Sequence, residues 1–265
     1  MRRSRSAGRN VNFFDGVTSA HLGGVRQNGS ITNANFFHML MDVLLVVDGM
    51  ISIRLRGTGQ PMPISDRLAE GDYNIFCPRG NIQLTKEISV QRIISHTQST
   101  GENCFRNLVR ARDGKSAHVF PLHHQALWDQ CDFNHVMNHS APRPINSVQN
   151  GILVAAHMHQ LFDGFLVSVN PDDGYKITDF GHNNWDVDGQ VLDIVYRDPN
   201  NPNRVPDELF RWHFRQSVLA NMKGAGEPIF EHDFPPGTDM VKEILEGPLP
   251  ARRMELELFA RLEED

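Results

Sequence analysis

The chain carries 13 histidines among its 265 residues. Seven of them, His118, His123, His124, His135, His139, His157 and His159, fall within the 42 positions from 118 to 159. Imidazole is the commonest metal ligand and titrates closest to neutral pH, so such a cluster could hold a cation or move a proton. The plain alternative is a set of exposed histidines in a loop-rich segment, with His123 and His124 solvated after the turn at Pro121. Two stretches tell against chance. One is Ala117-His118-Val119-Phe120-Pro121; the other runs from Asn150-Gly151-Ile152-Leu153 through His157-Met158-His159 to Phe162-Asp163. Arg106, Arg110, Arg112 and Lys115 lie just ahead of the first stretch. They could meet phosphates or form a solvated face.

Taken together, the two stretches resemble the halves of an HNH nuclease motif. A His precedes an apolar residue and Pro, an Asn follows, and a second His comes nine residues after that Asn. The wording is similar to a subgroup reading AAHI-x-P, then NG-x-L, then H-x-x-FD. The segments Thr97 to Asp113, Ser168 to Thr178 and Arg204 to Met240 extend the likeness to fungal HNH-domain proteins, from about residue 9 onward. The resemblance implies a β-hairpin packed on a helix around one divalent cation, Mg²⁺, Mn²⁺ or Zn²⁺. His118 would be the general base that takes a proton from water, and Asn150 would hold the His118 ring. His159 and Asp163 would be the metal ligands. Four apart on a helix, these two project from one face, as ligands of one ion must. Alone, such a pair is equally a surface hydrogen bond. His157 falls where relatives often carry an acidic residue and is either an auxiliary ligand or an exposed helix position.

One departure from the family pattern bears on activity. Relatives place a Cys-containing strand and a TG turn between the Arg-Asp-Gly segment and the His118 stretch. Here Arg112-Asp113-Gly114 runs through Lys115 and Ser116 straight into Ala117. The strand bearing His118 is therefore expected to lack its pairing partner and the site to be loosened.

The elements that must position these residues can be read coarsely. Met50 to Arg56 alternates apolar and polar residues, the period of a half-buried strand, and short alternating runs follow at 73–76, 82–85 and 90–94. Thr32 to Leu45 fits a helix or a strand pair. Gly23-Gly24 reads as a turn, with no phosphate-loop signature after it. Asn107 to Ala111 reads as a short helix, 150–164 as a strand running into a helix, and 165–169 as a strand. Asn170 to Gly174 is a turn by composition. Pro206 marks a helix start, Asp207 to Met222 has helical spacing, and Gly224-Ala225-Gly226 ends it. Met254 to Leu262 reads as a last short helix. The fold class is α+β: a β-rich N-terminal module over 10–96, a ββα-metal (HNH) nuclease module over 97–198, and a helical C-terminal extension over 199–265.

Composition narrows the function classes. With 26 Lys+Arg against 32 Asp+Glu the net charge is −6, so any grip on nucleic acid must come from a local patch. The densest apolar run, Val43 to Val47, is far too short to span a bilayer, and the N-terminus lacks a signal-peptide core. The arginines at 2, 3, 5 and 9 read as a solvated basic tip, with a targeting or phosphate-binding tip as the alternative. Three cysteines, Cys77, Cys104 and Cys131, form no CxxC pair and suit a reducing compartment, cytoplasmic or nuclear. The expected function is a metal-dependent endonuclease that hydrolyses phosphodiester bonds, in DNA ahead of RNA. The alternatives are a catalytically degenerate HNH domain acting as a protein- or nucleic-acid-binding module, and a structural zinc site at His157, His159 and Asp163.

Overall fold

Among the described residues the N-terminal region runs through β1 (Val11–Asp15), β2 (His21–Val25), α1 (Asn33–His38), β3 (Leu45–Val46), β4 (Ser52–Leu55), β5 (Gly71–Phe76) and β6 (Gln83–Leu84). They come from a computed structural model that describes residues 5–6, 8–64, 66–90, 116–122, 124–137, 143–154, 156–181 and 186–224. The expected helices at 107–111 and 254–262, the basic cluster at Arg106, Arg110, Arg112 and Lys115, and the 90–94 run beyond its first residue lie outside them, as do His123 and His139.

Strand alternation builds the first core. Val11, Phe13, Ile53, Tyr73 and Ile75 point inward and are buried. The sheet order is β2-β1-β5-β4, with β1 and β5 parallel and both outer pairs antiparallel. Thr32 resolves the ambiguity at 32–45. Its hydroxyl accepts from the Asn35 amide at 3.1 Å and starts a helix, which continues as a π-helical stretch over Met39–Leu44. Phe36, Leu40 and Leu44 face the sheet and are fully buried.

The second half comprises β7 (Ser116–His118), α2 (Gln125–Gln130), β8 (Gly151–Leu153), α3 (Ala156–Asp163), β9 (Val167–Asn170), β10 (Lys176–Asp179) and α4 (Asp207–Met222). The strand ahead of α3, the turn at Pro171–Asp173 and the helix after Pro206 fall where the sequence pattern placed them. Contrary to the sequence reading, the His118 strand has a partner. β7 pairs antiparallel with β8, His118 opposite Gly151 and Ser116 opposite Leu153.

α4 is no surface appendage. Val218, Leu219 and Met222 belong to the first core, while Leu209, Phe210, Trp212 and Ala220 belong to a second core around Phe120, Trp128 and Phe133. One helix thus spans both cores. Its end docks on β2, where Gly24 and Gly23 are strand residues rather than a turn. A Cβ at Gly23 would stand 2.0 Å from the Met222 carbonyl oxygen, so only glycine admits this approach. Nor are the N-terminal arginines at 5 and 9 a solvated tip. Arg5 is 6% exposed, and Arg9 donates to the Gly224 carbonyl at 2.5 Å and to that of Asn221. Burial pulls Arg9 down to about 10, which still leaves it charged at neutral pH.

Candidate active site

The motif residues around His118 are anchored from behind. Val119 and Phe120 are fully buried, and the Phe120 ring meets Trp212 at 4.2 Å, Trp128 at 5.3 Å and Phe133 at 5.6 Å between centroids. An aromatic core therefore fixes the chain just past His118, which itself stays half-buried at the strand end.

Asn150 continues the ladder with its side chain. Its main-chain carbonyl accepts from Val119 N at 3.0 Å. Its Oδ1 accepts from Phe120 N at 2.7 Å, and its Nδ2 donates to the carbonyls of Phe120 and Ile145, both at 2.9 Å. Both amide hydrogens are committed to main chain in a site with no solvent exposure. Asn150 thus acts on the backbone just after His118 and not on the His118 ring, contrary to what the resemblance implied.

Across from the strands, α3 packs on β7 and on β9. It presents His159 and Asp163 on one face, as the four-residue spacing requires, and His159 Nε2 lies 2.9 Å from Asp163 Oδ2. The side chains are 43% and 24% exposed, so the pair is reachable from solvent. Among the described residues no three His, Cys, Asp or Glu side chains gather around one point. The pair itself supplies one nitrogen and one oxygen donor, a set compatible with a divalent cation that keeps several waters. His157 lies on α3, with its side chain outside the described set. Cys131 is a poor ligand, because burial, with the Glu87 charge, pushes its thiol up. His135 turns away to Asp132, where it meets both the main-chain carbonyl and the carboxylate.

The helix is held by groups that sequence spacing did not single out. Phe162 is buried and its ring stacks on His213 at 3.8 Å with planes 9° apart. A carbonyl can only accept, so His213 Nε2 carries a proton and donates it to Phe162 O at 3.0 Å. Ser168 Oγ sits 2.7 Å from Nδ1, the other ring nitrogen. Tyr196 serves β8 in the same way, its hydroxyl accepting from Leu153 N at 3.1 Å.

A strand-end histidine, an asparagine stapled beside it and a His/Asp helix packed on the same hairpin form a ββα arrangement. Residues 100–170 match the family model for HNH endonucleases. That window contains β7, β8 and α3, and with them His118, Asn150, His159 and Asp163. This region is thus similar to HNH endonucleases, within a mixed α+β chain. Residues 8–81 match a second model, a domain of unknown function (DUF8573), which takes in the four-stranded sheet. No curated protein and no solved structure matches the chain significantly. No helix among the described residues is long and apolar enough to cross a membrane.

Proposed function

We propose that this chain is a metal-dependent HNH endonuclease that hydrolyses phosphodiester bonds in nucleic acid, DNA in preference to RNA. The observation that carries this reading is the packing of the His159/Asp163 helix against the paired strand that ends in His118. His118 is the general base: its imidazole takes the proton of the attacking water as the new P–O bond forms and the leaving oxygen departs. Asn150 fixes the main chain from which that imidazole projects. His159 and Asp163 are the residues that would hold the cation, through one imidazole nitrogen and one carboxylate oxygen. When bound, Mg²⁺, Mn²⁺ or Zn²⁺ there would stabilise the charge that develops on the phosphate and the leaving oxygen.

Plasmid nicking by the purified, folded protein tests the reading, with each of the three ions or EDTA and with His118→Ala alongside. Cleavage that needs the ion and His118 is expected. Cleavage surviving either loss overturns the mechanism. A second reading is favoured by the net charge of −6 and the short connection from Gly114 to Ala117: a degenerate HNH domain that binds nucleic acid or protein without turnover. Binding with no cutting under any ion would select it.

A further inference from the structure

The site helix is short, eight residues, and helices of that length are not stable on their own in water. Its order must be imposed from outside, and its C-terminal end shows how. Phe165 N–H bonds Phe162 O at 3.0 Å and Leu166 N–H bonds Leu161 O at 2.8 Å, which is a Schellman stop. Such a stop leaves the carbonyls of residues 164 and 165 without partners from the helix itself. Asn221 Nδ2 takes Phe165 O at 2.7 Å. Arg5 Nη2 takes Gly164 O at 2.7 Å, while its Nη1 reaches Asn221 Oδ1 at 2.6 Å. One buried guanidinium, 159 residues away in sequence, therefore joins the carbonyl next to Asp163 to the last turn of α4. A cation at a helix C-terminus also meets the negative end of the helix dipole. Arg9 fastens the same stretch of chain to α4 through Asn221 O and Gly224 O.

We propose that Arg5 and Arg9 form a strap that orders the site helix, with Arg5 as a positioning residue for Asp163. The proposal rests on reading His159 and Asp163 as the metal ligands. The strap's bonds run between protein groups alone, so its ordering effect is measurable in the metal-free protein.

The test compares wild type, Arg5→Gln and Arg5→Lys as full chains, by amide hydrogen exchange without metal, by Mn²⁺ affinity and by nicking kinetics. Exchange over residues 158–166 is expected to quicken about tenfold in Arg5→Gln, while the strands of the first sheet keep wild-type protection. Mn²⁺ affinity falls, and kcat falls by about tenfold with KM little changed, since misplacement by a fraction of an ångström is costly in rate. Arg5→Lys, which keeps the charge and one donor, recovers part of each loss. It also carries the test should Arg5→Gln not fold. Wild-type exchange over 158–166 in a folded Arg5 variant overturns the strap. So does a uniform rise across the whole chain in which Lys does no better than Gln. Absence of cleavage by the wild type under every ion would instead sink the nuclease reading and leave the exchange result standing.

Discussion

The Asn150 side chain closes on the backbone of Phe120 from both sides, accepting from its N–H at 2.7 Å and donating to its carbonyl at 2.9 Å. A side-chain amide thereby adds one rung to the two-stranded ladder, directly beyond His118. The middle residue of the motif has to be an amide for this, since the rung needs one acceptor and two donors.

Asn150→Asp tests that requirement with almost no change in shape. The acceptor for Phe120 N–H survives, but the second oxygen now faces the carbonyls of Phe120 and Ile145 in a site without solvent. A buried charge without compensation costs about 3–5 kcal/mol, and the nicking rate should fall with it. Urea unfolding of the variant within about 1 kcal/mol of wild type would show that the rung contributes little.

His118 stands at the edge of the core rather than in it, so His118→Ala should separate chemistry from folding. The neighbouring Val119 and Phe120 keep the strand anchored. The expected cleavage rate is lower by about 10²–10⁴, the usual contribution of a general base, with a melting temperature close to wild type. A chelator should abolish cleavage of the wild type without that mutation.

For the helix pair, His159→Ala and Asp163→Ala should barely alter stability, because a half-exposed i,i+4 pair is worth less than about 1 kcal/mol. Each should nonetheless weaken Mn²⁺ binding strongly, since each removes one of only two protein donors that the pair provides. Calorimetric titration reads this directly. Unchanged Mn²⁺ affinity in both variants would leave the pair as a surface hydrogen bond.

What could be read from sequence follows the range of the interactions involved. The His159/Asp163 face was legible because helical spacing is local and periodic. The strand before it and the turn at Asn170 to Gly174 were legible for the same reason. Thr32 to Leu45 was not, because aromatic and apolar residues there fit either period until the Thr32 cap selects the helix. The His118 strand was expected to lack a partner, since family spacing says what is missing from the chain but not which remaining strand takes its place. Arg5, His213 and Tyr196 act across 159, 51 and 43 residues, with no pattern around them to mark the contact.

Tyr196→Phe should loosen the hairpin without disturbing the core. The ring is 5% exposed and stays in place, whereas Leu153 loses the hydroxyl that accepts from its N–H at 3.1 Å and donates to its carbonyl at 3.4 Å. The net loss is about 1–2 kcal/mol, at about 1 kcal/mol per bond. Because β8 is the partner of β7, faster amide exchange at Leu153 should extend to residues 116–118. Exchange confined to wild-type rates there would mean that the hairpin holds itself.

Phe165 supplies the sharpest packing test. It occupies the left-handed position of the Schellman stop, φ +58°, while the glycine stands one residue earlier at 164. That backbone costs about 1–2 kcal/mol for a residue with a Cβ. It is retained because the ring is 2% exposed, packed near Trp212 and His213 at 6.2 and 5.1 Å. Removing the ring should cost about 3–5 kcal/mol in either small variant. Alanine, however, keeps the strain, whereas glycine releases it at an entropic cost of about 0.5–1 kcal/mol. Phe165→Gly should therefore be more stable than Phe165→Ala, the reverse of the order expected wherever φ is negative. Denaturant unfolding of the two variants decides it, and an alanine variant equal to or better than glycine would show that the turn relaxes out of the left-handed region once the ring is gone.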